Sequence, residues 1–271
     1  MRWVNVRPNR RSSILLGTLP LLAVFVAYLI AAAIRHGSNG ADKILPTPLA
    51  MMTAMHSLVI ETDPLSGNVL FWTDTLASLQ RLGIGLGICA LSALLVGMIL
   101  GVLPVARTTF GPLVTTIAVI PPIALLPVLF IVFGLGETAK VALIVVGVAP
   151  FLIRDLADHV ADLPKEQLVK AQTLGASSWQ LALRVALPQA LPRLIAGLRL
   201  SLGPAWVYLI SAEAIASDSG LGYRIFLVRR YLSMDIIIPY VAWISLLAIT
   251  TDVALKQLSR RSFVWAHEAH R

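Results

Sequence analysis

The chain has 271 residues, of which 57% are hydrophobic and only 13% charged. Ordinary soluble domains carry about 25% charged residues, so several long apolar runs at half that density place the chain in a bilayer. The formal charge of +8 does not point to nucleic acid: the basic residues flank the apolar runs instead of forming a stripe with interleaved aromatics.

The N-terminal stretch is basic, with Arg2, Arg7, Arg10 and Arg11, and is followed by the apolar run Ile14–Ile34. That run has 21 residues. A cleaved signal peptide has a core of about 7–15, so this reads as an uncleaved first span with a cytoplasmic N-terminus. Residues 1–36 form this first unit, and residues 37–81 an external segment. There Pro46 and Pro48 open LPTPLAMMTAMHSLV, a short helix expected to lie along the membrane surface. A helix needs about 20 apolar residues to cross. Five further runs meet that length within residues 82–258: Leu82–Leu103, Pro112–Phe133, Ala139–Leu156, Leu194–Ile215 and Ile236–Leu255. A polar loop, residues 157–193, interrupts them, and residues 259–271 form a tail. Backbone groups in lipid must be satisfied within the segment, so the fold class is all-α and polytopic, with about six crossings.

Six crossings return the C-terminus to the starting side. With the N-terminus inside, fifteen Lys and Arg fall in the cytoplasm and seven outside: Arg35, Lys43, Arg81, Lys140, Arg224, Arg229 and Arg230. The bias supports cytoplasmic termini, although the Arg224, Arg229, Arg230 cluster runs against it.

In the second run, Gly83/Gly87 and Gly97/Gly101 have the four-residue spacing that lets membrane helices approach closely. Gly85, Gly87 and Ala90 mimic a dinucleotide fingerprint, but they lie mid-membrane with no preceding strand, so helix packing is the reading. Cys89 shares this run, rules out a disulfide within the chain and reads as a small buried hydrophobe. Pro121, Pro122 and Pro127 break the third run, and such breaks can line a pathway or hinge. The turn Gly134–Glu137 reads as a loop. Arg199, Glu213 and Asp252 are charges within runs and therefore functional candidates. Arg199 and Asp252 near the inner end suit structural pairing. Glu213 lies about 21 Å further along its helix than Arg199, beside the turn holding Gly220 and Gly222, where either a structural role or a gate is open. The chain has no phosphate-loop pattern, no metal-ligand spacing and no nucleophile elbow. His267 and His270 read as one face of a tail helix. No cofactor is expected on this chain, and no catalytic or metal site.

The loop Glu166–Pro192 is the longest polar stretch. Glu166–Leu174 has helical spacing and stops at Gly175. Ser177 or Ser178 caps a second helix, Trp179–Leu187, ended by Pro188. Trp179, Leu183 and Ala186 fall at i, i+4 and i+7, an expected exposed apolar stripe suited to a groove on a soluble partner.

This loop resembles the EAA signature of ABC importer permeases, with Ala171, Gly175, Val185, Leu187 and Pro188 in register. Val169 and Lys170 stand where the family has Glu and Ala, which removes the carboxylate the family can pair with its ATPase; Glu166 lies one turn earlier. Further matches resemble the nitrate, sulfonate and taurine branch: Ile44–Pro48, Ser78–Arg81, Leu191-Pro192, Ala196–Arg199, Ala205-Trp206, Ala212-Glu213, Gly220–Tyr223 and Arg260–Trp265. The tail from Tyr231 to Trp265 is also faintly similar to members serving urea-like or guanidine-like compounds. The resemblance implies a type I importer permease in a bacterial inner membrane. It implies a second permease copy, an external solute-binding protein and a cytoplasmic ATPase dimer that holds the ATP and Mg. Its coupling loop would comprise Glu166, Ala171, Gly175, Ala176, Ser177, Trp179, Leu183, Val185, Leu187 and Pro188, and its pathway or gate Pro121, Pro122, Pro127, Glu213, Gly220 and Gly222. Two other classes compete. An ion-gradient transporter would show repeats and midplane acids, and a membrane hydrolase would show a nucleophile–base set; neither pattern is present.

Overall fold

A computed structural model describes residues 9–38, 44–64 and 67–268. Arg2, Arg7, Lys43, His270 and Arg271 lie outside the described residues. Every regular element among those described is helical. The chain divides into two units. The first contains α1 (Arg10–Ser38), α2 (Pro48–Ile60) and residues 228–239. Thr47 caps α2 through its hydroxyl and Pro48 takes the first helical position, the start expected there.

The second unit carries the rest. α3 runs Leu70–Val102 with one π turn at Ala93–Gly97. At 1.5 Å per residue it is about 50 Å long, more than the roughly 30 Å hydrocarbon layer, so its first turns project beyond the apolar run. α4 is Pro104–Val119, and a short 3₁₀ turn, Pro122–Leu125, leads into α5, Leu126–Phe133. α6 is Glu137–Ala161. After a polar loop containing α7 (Lys165–Thr173), α8 runs without interruption from Ser178 to Ile215, with a π turn at Leu181–Ala186. α9 (Leu221–Arg229), α10 (Met234–Ser262) and α11 (Val264–Glu268) complete the chain, the end of α9 and the start of α10 falling in the stretch 228–239 of the first unit.

Two expectations change. The third run is not one crossing helix: α4 and the Pro122–Phe133 segment meet at 86°. Ile120 and Pro121 each precede a proline, which excludes the helical region for both, and both are extended, with ψ of 126° and 114°. Pro188 does not end a helix. The π turn just before it reshapes the local hydrogen-bond ladder, and the proline is taken into the opening turn of Leu187–Ile215.

Among the described residues four helices are long and apolar enough to cross a membrane, five if the bent pair counts as one. α6 holds the fourth run of the sequence reading, Ala139–Leu156, and is not among them. It has the length, but Glu137, Lys140, Arg154, Asp155 and Asp158 make it too charged to face lipid. It does not need to. α6 is the hub, packed against α3, α4, α5 and α8, and eleven of its residues are buried, from Ala139 to Val160. At the start of α3, Phe71 stacks edge-on with Trp72 and Tyr240 and tilts against Trp243, while Trp243 Nε1 donates to Thr75 Oγ1 at 3.1 Å, joining α3 to α10.

Helices gain little hydrophobic drive from associating in lipid, so close packing decides their contacts. A Cβ on Gly97 would lie 3.0 Å from the Ile153 carbonyl oxygen, and one on Gly101 would lie 2.6 Å from Val160 Cβ. That pair is where α3 meets α6. Gly83 and Gly87 have nothing within 4 Å of such an atom, so they do not pack within this chain; Gly85 between them is the one pressed on Ile144. Gly101→Ala is therefore expected to lower stability by about 1–3 kcal/mol, the usual cost of overpacking. Gly83→Ala should be neutral or stabilising by up to about 1 kcal/mol from helix propensity. Thermal unfolding of both variants in detergent checks this, and equal losses would contradict it.

Candidate functional site: a polar loop and a buried ion cluster

The loop between α6 and α8 is built by backbone rules. α7 ends with Gly175 at φ +82°, where the Gly175 N–H donates to the Gln172 carbonyl at 2.9 Å and the Ala176 N–H to the Ala171 carbonyl at 3.0 Å. This is a Schellman motif, which glycine closes without strain. Ser177 then caps α8 reciprocally: the Gln180 N–H donates to Ser177 Oγ at 3.3 Å and the Ser177 N–H to Gln180 Oε1 at 2.9 Å. Gln189 Nε2 reaches back to Gln167 Oε1 at 2.9 Å and ties the two arms together. The result is a stiff helix–turn–helix.

Glu166, Val169 and Lys170 are exposed along α7, and Leu174 at its end is 80% exposed, a large apolar side chain in an otherwise polar segment. The expected apolar stripe is split. Trp179 is 71% exposed and Leu183 is exposed, but Ala186 is buried at 3%. The π turn at 181–186 breaks the regular helical spacing on which that stripe rested, and Ala186 turns into the fold. Val185, Leu187 and Pro188 are half-buried at the root of α8.

The loop end of the helices is laced by arginine–aspartate pairs. Arg107 Nη2 lies 2.5 Å from Asp158 Oδ1, joining α4 to α6. Arg193 grips both oxygens of Asp155, joining α8 to α6. Arg199 grips Asp252 at 2.7 and 3.0 Å, joining α8 to α10. Arg199 and Asp252, two of the charges singled out in the sequence, thus hold each other.

The opposite end holds a buried cluster that sequence reasoning largely missed. Asp74, Ser78 and Arg81 lie at i, i+4 and i+7 on one face of α3, and all are at most 4% exposed. Glu213, fully buried on α8, is the centre. It accepts from Arg81 Nη1 at 2.7 Å, from Ser78 Oγ at 2.8 Å and from the Gly222 N–H at 2.9 Å. Arg81 also donates to both oxygens of Glu137, to the Ser219 carbonyl at 2.8 Å and to Ser219 Oγ at 3.1 Å. Lys140 Nζ bridges Glu137 at 2.8 Å and Ser217 Oγ at 2.9 Å. Asp74 accepts from the Gly220 N–H and from Arg224 Nε, each at 2.8 Å. Three acids face three bases, and every carboxylate is bonded.

The glycines of the turn follow from this cluster. Gly220 has φ +124°, and a Cβ there would lie 2.5 Å from Glu213 Cδ and 2.7 Å from Arg81 Nη1. One on Gly222 would lie 2.7 Å from the Ile210 carbonyl oxygen. The turn backbone must come that close to donate to the buried carboxylates. Glu213, Gly220 and Gly222 are thus brought together. Pro121, Pro122 and Pro127 lie apart from them, at the α4–α5 break. Arg81, Lys140 and Arg224, counted among the external charges in the sequence, are each paired with a carboxylate of this cluster. Their legible signal was the 74/78/81 helical spacing just ahead of an apolar run.

A family model described as "Binding-protein-dependent transport system inner membrane component" matches residues 93–264. The chain is 35% identical over 198 residues to the taurine transport system permease protein TauC of Escherichia coli, covering 73% of this chain and 72% of that protein. It is 30% identical over 251 residues to the bicarbonate transport system permease protein CmpB of Synechococcus elongatus, covering 90% and 89%. Among solved structures, a chain of the MetNI methionine ABC transporter in inward facing conformations superposes with a TM-score of 0.63 at 22% identity, over 74% of this chain and 98% of that one. That likeness shows the fold.

Removing one partner of a buried ion pair strands the other and typically costs about 3–5 kcal/mol. Arg81→Ala and Glu213→Ala are each expected to lose that much stability, and the double variant distinctly less than their sum. A double-mutant cycle on thermal unfolding in detergent reads this; simple additivity would deny the coupling.

Proposed function

The chain belongs to the family of binding-protein-dependent transport system inner membrane components, and on that premise we propose that it forms the translocation path of an ATP-driven importer for a small polar solute. As an ABC transporter permease component it is a transport subunit and not an enzyme. In this reading ATP and Mg sit on a separate ATPase dimer, a solute-binding protein delivers the cargo, and a second copy of the chain completes the path.

The observation that carries the reading is the projecting loop. A stiff, doubly capped helix–turn–helix presents Val169 and Leu174 to solvent beside Glu166, with Gly175 setting the turn. An exposed apolar tip on a rigid stem suits a groove on a soluble partner. In the proposed cycle, closure of the ATPases draws two such tips together. Ala171, Ala176 and Ser177 fix the shape of the tip, and Trp179, Leu183, Val185, Leu187 and Pro188 join it to the membrane helix. The Arg–Asp pairs at the loop end then pass the movement to α4, α6, α8 and α10 as one body. The break at Pro121, Pro122 and Pro127 is the proposed flexible element of the path. Glu213, Gly220 and Gly222 anchor the far end against which it moves.

The same reading places the loop and both termini in the cytoplasm. Fifteen Lys and Arg fall on that side and seven on the other, the bias expected of cytoplasmic termini. For the solute, the relatives named for taurine and bicarbonate both handle small compounds bearing an oxyanion. We propose a small sulfonate, carboxylate or similarly sized anion, with urea-like or guanidine-like nitrogen compounds as the second class to test.

The test is co-expression with the neighbouring ATPase and binding protein. Proline cannot adopt φ +82°, so Gly175→Pro should abolish uptake and ATPase co-purification while the chain still inserts. Leu174→Asp, which leaves the backbone free, should weaken co-purification at least about tenfold, the effect of losing 1.4 kcal/mol of binding. Normal transport by both variants at normal expression would refute the coupling role.

A further inference from the structure

Trp179 and Leu183 do not face the same way as the loop tip. They form one wall of a crevice of about 400 Å³ whose other wall is α3, through Leu94, Leu95, Met98 and Ile99. Apart from Ser178, the side chains lining it are apolar. The two π turns of the second unit meet here: 93–97 supplies Leu94 and Leu95, and 181–186 supplies Ala182 and Leu183. π turns are rare and gather at functional sites.

The position of the crevice decides its occupant. Ala93, Gly97 and Leu100 are buried, and Gly97 presses on Ile153 and Leu156 of α6. Leu95 and Ile99 point away from that face and are more than half exposed. They belong to a helix long and apolar enough to cross a membrane. The exposed side of such a helix meets lipid tails, not water. Across the crevice from Trp179 lie Leu94, Leu95, Met98 and Ile99 of α3, within the apolar run that ends at Leu103, and tryptophan collects near the ends of such runs in membrane proteins. Arg184, exposed and next in the chain to Leu183, adds a cation at that level.

We propose that this crevice holds an acyl chain of a phospholipid from the leaflet on the loop side, its phosphate near Arg184. The loop then has two faces: a tip that meets a soluble partner, and a root seated on bound lipid. The inference goes beyond the transport reading. It rests only on α3 lying in a bilayer, so it stands or falls separately from ATPase docking.

The test reads Trp179 fluorescence in proteoliposomes of the full chain, as the difference between wild type and Trp179→Phe. With phosphatidylglycerol brominated on its acyl chains, the Trp179 emission should be quenched, and aqueous iodide should leave it unchanged. Quenching by iodide but not by bromolipid would put the face in water and overturn the proposal. So would protection from both quenchers on adding the partner ATPase, because a protein would then cover it. Ala182→Phe fills the crevice while keeping Trp179 and should reduce bromolipid quenching. Unchanged quenching in that variant would mean Trp179 merely touches the bilayer surface, and would also overturn the bound chain.

Discussion

Arg81 and Glu213 form an ion pair buried inside the fold, where water does not reach either partner. Taking each ion out of water costs several kcal/mol even after relaxation, and only a complete set of partners offsets it. The fold supplies that set from four separate stretches of chain: the start of α3, the start of α6, the end of α8 and the turn into α9. This requirement fixes much else. Two glycines are needed for the turn backbone to reach the carboxylates. Arg224 reaches the buried Asp74 as its counter-charge, and the buried Lys140 pairs with Glu137.

The two ends of the helical core are held differently. The far end is locked by this cluster, buried at Asp74, Arg81, Lys140 and Glu213 and open to the surface at Glu137. The loop end is held by Arg–Asp pairs open to solvent, two of them bidentate, each joining two different helices. Such exposed pairs are individually weak, but several together align the helices that leave the loop. With both ends tied, the second unit is suited to move as one body, and the bend of 86° at the proline pair is where its continuity is weakest. A permease that moves as a body converts a push on the loop into a tilt of the pathway without rebuilding its core.

Much of this was legible in the sequence because local rules dictate it. Apolar run length marked the membrane helices, Gly175 and Ser177 marked the loop corner, and Thr47 with Pro48 marked the start of α2. What escaped depends on partners far apart in sequence. Arg81 lies 132 residues from Glu213, and no periodicity links them. α6 read as the shortest span, with the least certain ends, and it proved to be the hub because its apolar face packs against α3, α4, α5 and α8. The π turns left no mark in composition, so a stripe drawn through Trp179, Leu183 and Ala186 on regular spacing misplaced its last member. Gly83 and Gly87 had the right spacing for packing but face away from the partner helix that Gly97 and Gly101 meet.

The central claim is that this chain moves a solute with energy supplied by other subunits. Reconstitution into proteoliposomes with the neighbouring ATPase and solute-binding protein tests it most directly, using radiolabelled taurine and bicarbonate as first solutes. The account predicts accumulation that requires ATP inside, Mg and the binding protein, and that survives collapse of proton and sodium gradients. Accumulation driven by an ion gradient, with no need for ATP or the binding protein, would contradict it.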